Sequence, residues 1–242
     1  QIINIHILST MKISICLLCY FSLAISFDLY AQDWPNFNRY RQDNYQLGMP
    51  SEDENRVVFM GNSITEGWLD IYPEFFDGKP YVNRGISGQT TPQMLVRFRA
   101  DVIDLHPKAV VILAGTNDIA GNTGPSTVKM IADNIFSMAE LAKEHNISVI
   151  ISSVLPVYRY SWIERELDPV PIISRLNAIL KNYALKNGHT YLDYYSEMVD
   201  KRMGLMEEYT TDGVHANKAG YKVMSDLAEQ AIKESLSRSK TK

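Results

Sequence analysis

The stretch Val57-Val58-Phe59-Met60-Gly61 decides the fold, because its pattern predicts a strand that is buried on both faces. It is a short, continuous apolar run that ends in a glycine, which is typical of the strands of a parallel sheet. Comparable runs recur along the chain. They predict further strands at 80–83, 109–114, 149–155 and 191–193, of which the run at 109–114 is the clearest.

Segments with apolar residues at helical spacing lie between these strands. They predict helices at 91–105, 126–145, 172–186 and 218–236. The alternation of strand and helix predicts an α/β fold, a three-layer αβα sandwich whose central parallel sheet has about five strands. Ligands of such sheets bind at the carboxyl ends of the strands, so residues that carry chemistry are expected directly after a strand.

The first residues of the chain have the pattern of a targeting segment. Met11 and Lys12 precede an apolar run at 13–27, and Ala31 is a small residue at a suitable cleavage position. This layout is typical of a secretory signal peptide. The apolar run is also shorter than the roughly 20 residues of a membrane span. We therefore predict an exported protein, periplasmic or extracellular, with no stable membrane span in its mature form.

Three segments follow from these patterns. Residues 1–31 are upstream residues and signal peptide, and residues 56–242 form the α/β domain. Residues 32–55 are polar and aromatic, and we predict an arm or helix that packs on the domain. A lid that contacts the substrate is the alternative for this segment.

The composition excludes several classes of function. The chain has 242 residues, with 24 basic and 28 acidic side chains and a net charge of −4. No basic stripe is visible, so no nucleic-acid partner is expected. Both cysteines, Cys16 and Cys19, lie in the predicted leader, which leaves no thiol for catalysis, disulfides or metal binding. No metal-ligand spacing such as HExxH occurs, so we predict neither a metal nor a cofactor.

The first candidate for chemistry is Ser63, in the motif Gly61-Asn62-Ser63-Ile64-Thr65 directly after the first strand. A serine at a strand-to-helix turn directs its hydroxyl into the crevice above the sheet. The helix N-terminus beyond it favours developing negative charge. The alternative is that Ser63 only caps the helix, which is a common role for serine.

Gly88 and Asn117 follow the second and third strands, in the segments 83–88 and 115–118. Glycine lets a backbone N–H approach a ligand closely. An asparagine amide is a neutral donor that can stabilise a carbonyl oxygen as it becomes negative. For each residue the alternative is an ordinary turn.

The fourth motif is Asp212-Gly213-Val214-His215, just before the last predicted helix. A histidine can take a proton from a serine hydroxyl and return it later. A carboxylate is needed to orient the imidazole and stabilise its cation. Because Asp212 lies only three residues before His215, one short loop can present both. The alternative is a turn-forming aspartate next to a surface histidine.

Taken in this order, the four motifs resemble those of the SGNH (GDSL-like) hydrolase family, from about Val57 to Ala228. The resemblance implies a flavodoxin-like fold and a serine esterase that works through an acyl-enzyme. It implies that Ser63 is the nucleophile and that Asp212 and His215 complete a catalytic triad. It also implies an oxyanion hole formed by the N–H groups of Ser63 and Gly88 and the amide of Asn117.

Two neighbouring residues have lesser roles in this comparison. The resemblance gives Asp118 a supporting role beside Asn117. Asn62 stands where the family often has aspartate, and this position is not the catalytic acid of the family, so the departure does not put activity in doubt.

Aromatic residues near the motifs are candidates for substrate contacts. Trp68 follows Ser63 by five residues, and Tyr158 and Trp162 lie in a long loop after the fourth strand. They could stack on a sugar, line an acyl pocket or pack in the core. Residues 34–37 and 64–68 also resemble exported bacterial members of the family, which include carbohydrate esterases. We therefore expect a small ester or acylated carbohydrate as substrate, and a deacetylase of carbohydrate esters as the function. The alternatives are a lysophospholipase, a thioesterase and a non-catalytic binding module.

Overall fold

The computed structural model describes residues 32–239. Contacts divide the chain into two units, 1–34 and 35–242. Only residues 32–34 of the first unit are described, so the predicted signal peptide lies outside the described residues. All the structural features below belong to the second unit.

The centre of the second unit is a parallel sheet with the strand order β2-β1-β3-β4-β5. This finding confirms the predicted α/β class and the five-stranded parallel sheet. The strands are β1 (Val57–Gly61), β2 (Tyr81–Gly85), β3 (Ala109–Leu113), β4 (Ser148–Ser152) and β5 (Thr190–Leu192).

The fourth strand is shorter than the prediction of 149–155. Its pairing with β5 ends at Ser152. The backbone then leaves the sheet, because the side chain of Asn177 bonds both the N–H and the carbonyl of Val154, at 2.8 and 3.0 Å. These bonds replace the ladder bonds that a longer strand would make.

Helices cover the sheet. They are α1 (Arg41–Leu47), α2 (Ser63–Glu66), α3 (Trp68–Ile71), α4 (Thr91–Asp101), α5 (Thr116–Ala120), α6 (Val128–Glu144), α7 (Pro169–Asn187), α8 (Tyr194–Met198) and α9 (Lys218–Ser239). Short 3₁₀ turns occupy Pro73–Phe75, Ile103–Leu105 and Glu207–Tyr209. Among the described residues, no helix is both long and apolar enough to span a bilayer.

Two long helices differ from their predicted bounds. Helix α4 begins with a capping box formed by Thr90 and Gln93, and it ends at Asp101, earlier than predicted, with a 3₁₀ turn after it. Helix α7 begins earlier than predicted, at Pro169, because the Asp168 side chain accepts a hydrogen bond from the Val170 N–H at 3.1 Å.

Two separate hydrophobic clusters show the three layers. Alternate residues of β1 point to opposite faces of the sheet, as the pleat requires. Val58 and Met60 join a cluster with residues of α4, α6 and α7. Val57 and Phe59 join a second cluster with residues of α3 and α9.

The segment before β1 packs against the second strand and α4. The Tyr40 ring is buried, and its hydroxyl donates to the Gly85 carbonyl. Asn44 donates to the Asp101 carboxylate at 2.8 Å and accepts from Arg84 Nε at 2.8 Å. These contacts fix α1 beside the carboxyl end of β2.

Arg97 is a fully buried cation of α4. Its guanidinium pairs with Asp101 at 2.9 Å and donates to the carbonyls of Gly61 and Arg84, at 3.1 and 2.9 Å. It also donates to the Gln89 side chain at 2.6 Å. One buried group thereby joins the ends of β1 and β2 to α4.

We expect Arg97→Met to lower the free energy of unfolding by about 3–5 kcal/mol, because it leaves the buried Asp101 carboxylate without its cationic partner. Urea denaturation measures this change. Arg99→Met is the matched control, since Arg99 lies on the same helix with a side chain that is 58% exposed. Equal stability of the two variants would contradict this role of Arg97.

Candidate active site

Ser63 lies directly after β1, as the first residue of α2. The residue that caps this helix is Asn62, whose side chain accepts a hydrogen bond from the Ile64 N–H at 3.0 Å. The capping role that was the alternative for Ser63 therefore belongs to its neighbour. The Ser63 N–H lies in the first turn of the helix, where N–H groups have no partner within the helix.

The structure brings Ser63, His215 and Asp212 together. Ser63 Oγ lies 2.9 Å from His215 Nε2, and His215 Nδ1 lies 2.6 Å from Asp212 Oδ2. The three groups form one hydrogen-bonded chain from hydroxyl to imidazole to carboxylate. The His215 and Asp212 side chains are 37% and 40% exposed, so these hydrogen-bonded groups are accessible to solvent.

The second carboxylate oxygen of Asp212 holds the loop in shape. Asp212 Oδ1 accepts hydrogen bonds from the N–H groups of Val214 and His215, at 2.9 and 2.8 Å. Burial raises the pKa of Asp212, but the hydrogen bonds from His215 and Val214 outweigh it, and the pKa lies below its ordinary value. The carboxylate is therefore ionised at neutral pH.

Two glycines let α2 approach the strands closely. A Cβ at Gly61 would lie 2.0 Å from Thr65 Oγ1, and a Cβ at Gly85 would lie 2.1 Å from the Glu66 N–H nitrogen. Since the second clash is with backbone, no side-chain movement relieves it. These glycines bring the start of α2, and with it Ser63, close to the sheet edge.

Asn117 and Gly88 are linked through Gln89, a residue that the sequence did not single out. Asn117 lies on α5, after β3, and its side-chain amide donates to the Gln89 carbonyl at 2.9 Å. Gly88 has a φ of +77°, which glycine adopts readily. The Gln89 side chain donates to the Pro35 carbonyl at 2.8 Å and accepts from Arg97. Its place beside the glycine motif is the one signal that could have identified it.

Asp118 joins the Asn117 turn to the start of α4. Its carboxylate accepts from the Thr91 hydroxyl at 2.6 Å and from the Thr91 N–H at 3.0 Å. Burial raises the pKa of Asp118 to about 6, although these hydrogen bonds lower it. The contacts fit the supporting role expected for this residue.

The prediction that Trp68 contacts substrate is wrong. Its side chain is 1% exposed, and its ring stacks on Phe75 and Tyr221, with centroid distances of 4.8 and 5.3 Å. Helix α2 ends at Glu66 with Gly67 as its C-cap, and α3 begins at Trp68, whose indole lies in the core. Trp68 is therefore a core residue and does not face the solvent beside Ser63.

The two other aromatic candidates have different positions. Trp162 is 45% exposed, and its ring centroid lies 6.5 Å from that of His215. Tyr158 is 56% exposed and lines a separate cavity of about 460 Å³, whose other walls are residues 159–160 and 163–168 and do not include Ser63. Of the two, Trp162 is the one placed beside the triad.

A groove of about 410 Å³ lies on another side of Ser63, and we call it the arm groove. Residues before β1 and residues of α2 and α3 contribute most of its walls. It is lined by Arg39, Tyr40, Asp43, Ser63, Glu66, Gly67, Leu69, Asp70 and Ser87. Within residues 32–239, no cluster of three or more His, Cys, Asp or Glu side chains could hold a metal ion.

Known proteins share the fold and part of the sequence of this chain. The structure is similar to that of a candidate acylhydrolase from Bacteroides fragilis, with 50% identity, a TM-score of 0.83 and coverage of 85% of this chain and 99% of that chain. The uncharacterized lipoprotein YqeF of Bacillus subtilis is 37% identical over 118 residues, which are 42% of this chain and 49% of YqeF.

A second curated relative is the acetylxylan esterase of Xylanibacter ruminicola. It is 24% identical over 219 residues, which are 76% of this chain and 44% of the esterase. The chain spans about half the length of these two curated relatives. The model of the GDSL-like lipase/acylhydrolase family matches residues 59–223, which include the β1 turn and the loop of His215. The chain therefore belongs to the GDSL-like lipase/acylhydrolase family.

Proposed function

We propose that the protein is a serine esterase that hydrolyses carboxylic esters through an acyl-enzyme. The observation that carries this proposal is the hydrogen-bonded chain of Ser63, His215 and Asp212, with its 2.9 and 2.6 Å contacts. A nucleophile within reach of a base, itself oriented by a carboxylate, is the arrangement that acyl transfer requires. Membership of an acylhydrolase family supports the same reaction.

The reaction proceeds in two halves. Ser63 Oγ attacks the ester carbonyl as its proton passes to His215 Nε2, and the tetrahedral intermediate expels the alcohol, which takes that proton. A water molecule then attacks the acyl-enzyme, with His215 again the base. The acid is released and the proton returns to Ser63. Asp212 stabilises the imidazolium in both halves.

Three donors stabilise the oxyanion in this proposal: the N–H groups of Ser63 and Gly88 and the side-chain amide of Asn117. The amide has two N–H bonds, and the one directed at the Gln89 carbonyl fixes its orientation. The other is the donor to the oxyanion. Because Gln89 is itself held by Arg97 and Pro35, the donor is fixed before substrate binds.

We expect Asn117→Ala to lower kcat by about 10²–10³-fold with a small change in KM, since the lost hydrogen bond is strongest in the transition state. Steady-state kinetics on p-nitrophenyl acetate measure the effect. Asn187→Ala, an exposed position at the end of α7, is the control. A similar loss in both variants would count against the oxyanion role.

The substrate we propose is a carbohydrate ester with a small acyl group, such as acetate. The walls of the arm groove beside Ser63 carry four charged side chains, and Leu69 is its one exposed large apolar side chain. Such walls do not suit a long acyl chain, which needs an apolar channel. Similarity to an acetylxylan esterase and the exposed Trp162 beside His215 support a sugar.

A panel of p-nitrophenyl esters with graded acyl chains, together with acetylated xylo-oligosaccharides, tests this substrate class. We expect kcat/KM for acetate to exceed that for octanoate by more than about tenfold, because a long chain would have to remain in water or displace it from charged walls. Acetate release from the oligosaccharides should disappear in Ser63→Ala. A preference for long chains would instead favour a lysophospholipase or thioesterase.

We also propose that the protein is exported. The signal-like pattern at 11–31 and the similarity to a lipoprotein support this location. Fractionation of cells that express the full chain tests it, with a cytoplasmic enzyme as marker. Recovery of the protein with that marker would contradict export.

A further inference from the structure

We propose that the arm groove binds the alcohol side of the ester, that its ligand is an uncharged saccharide, and that the segment before β1 gives it this selectivity. This inference rests on the proposed esterase function. Arg39, Tyr40 and Asp43 come from that segment, whereas Ser63 and Glu66 come from the domain. A ligand in the groove therefore touches both the nucleophile and the arm.

The arm side of the groove is held rigidly. Tyr40 is buried and bonded to Gly85, and Asn44 is bonded to Asp101 and Arg84. Arg84 also lies over the Tyr40 ring, at 4.6 Å from its centroid. Since these contacts anchor Tyr40 and Asn44, the backbone that carries Asp43 and adjoins Arg39 is held beside Ser63.

Glu66 links the arm to the loop of the predicted oxyanion glycine. It accepts from Arg39 at 3.1 Å with one oxygen and from the Ser87 N–H at 2.8 Å with the other. Arg39 is thereby paired with a carboxylate. The single cation of the groove is thus already neutralised.

The charges of the groove select against anions. Its lining carries one cation, Arg39, and three carboxylates, those of Asp43, Glu66 and Asp70. A ligand with a carboxylate, such as a uronate sugar, meets a net negative field there and is repelled. An uncharged ligand is not repelled by this field.

The hydrogen-bonding groups of the groove fit a polyol. Carboxylates such as Asp43 and Asp70 accept from hydroxyl groups, whereas the Arg39 guanidinium and the Ser87 hydroxyl can donate to them. A saccharide offers hydroxyls that serve as both donors and acceptors. An apolar acyl chain in the groove would displace water from these polar groups and give them no hydrogen bonds in return.

The test compares two acetylated substrates of equal length, a neutral xylo-oligosaccharide and an anionic oligogalacturonide. At about 0.01 M salt we expect kcat/KM for the neutral substrate to exceed that for the anionic one by about fivefold, with the ratio approaching unity at about 1 M salt. The double variant Asp43→Asn/Asp70→Asn should bring the ratio close to unity at low salt. Arg39→Ala should increase it, since Glu66 then lacks its partner.

The double variant Asp53→Asn/Asp226→Asn is the matched control, because both positions are exposed and outside the groove. It should keep the wild-type ratio. A ratio that responds neither to salt nor to the groove variants, in a protein that hydrolyses p-nitrophenyl acetate, would overturn the groove proposal and leave the esterase function standing. A folded protein without any esterase activity would overturn both.

Discussion

Replacing Ser63 with alanine is expected to lower kcat by about a millionfold. The variant lacks the oxygen that forms the acyl-enzyme, while His215, Asp212 and the oxyanion donors remain. Only the slow attack of water within the site is left. Hydrolysis of p-nitrophenyl acetate measures the loss.

The fold of the Ser63→Ala variant should be intact, because Asn62 caps the helix. Its thermal unfolding midpoint should therefore match that of the parent protein. Ser174→Ala, at an exposed position of α7, is the control and should retain full activity. Activity of Ser63→Ala within about tenfold of the parent would refute the nucleophile assignment.

Replacing Asp212 with asparagine is expected to lower kcat by about 10⁴-fold. Asp212 Oδ1 accepts two backbone N–H bonds, so the asparagine oxygen takes that place and its NH₂ group faces His215 Nδ1. The amide then donates to Nδ1 and leaves the imidazole proton on Nε2. In this tautomer His215 cannot accept the proton of Ser63.

The Asp212→Asn variant separates chemistry from folding. Its loop keeps the bonds to the N–H groups of Val214 and His215, so urea denaturation should show little change. Asp226→Asn on the exposed face of α9 is the control. If Asp212→Asn kept most of the parent activity, Asp212 would not be the residue that sets the state of His215.

The fold could be predicted from the sequence because its signals are local. The runs at 57–61 and 109–113 are continuous and apolar, and both proved to be central strands that are buried throughout. Less regular boundaries depended on side chains distant in sequence. The end of β4 is set by Asn177, about 25 residues later, and no local pattern could reveal it.

The candidate site was partly predictable for a related reason. Ser63, Asn117 and His215 belong to short motifs that follow strands or precede a helix, so their neighbours in sequence mark them. Gln89 and Arg39 act through contacts with residues far along the chain, at Pro35, Asn117 and Glu66. Trp68 was misjudged because its distance from Ser63 in sequence does not show which way a short helix turns its side chain.

The site geometry also bears on the non-catalytic alternative. Binding alone does not require a serine hydroxyl that bonds a histidine whose other nitrogen bonds an ionised carboxylate. The structural roles of a helix cap and a turn are filled by other groups. Asn62 caps α2, and Asp212 Oδ1 accepts the backbone hydrogen bonds of its own loop. Asp212 Oδ2 and the Ser63 hydroxyl take no part in these turns, and both bond His215 instead.

Labelling with a fluorophosphonate probe tests the central claim most directly, because the probe reacts far faster with a serine activated as a nucleophile than with an ordinary hydroxyl. The intact protein should take up a single phosphonate group, and peptide mapping should place it on Ser63. Labelling should be lost in Ser63→Ala and strongly slowed in His215→Ala. A folded protein that stays unlabelled, or that carries the label at another serine, would contradict the esterase mechanism.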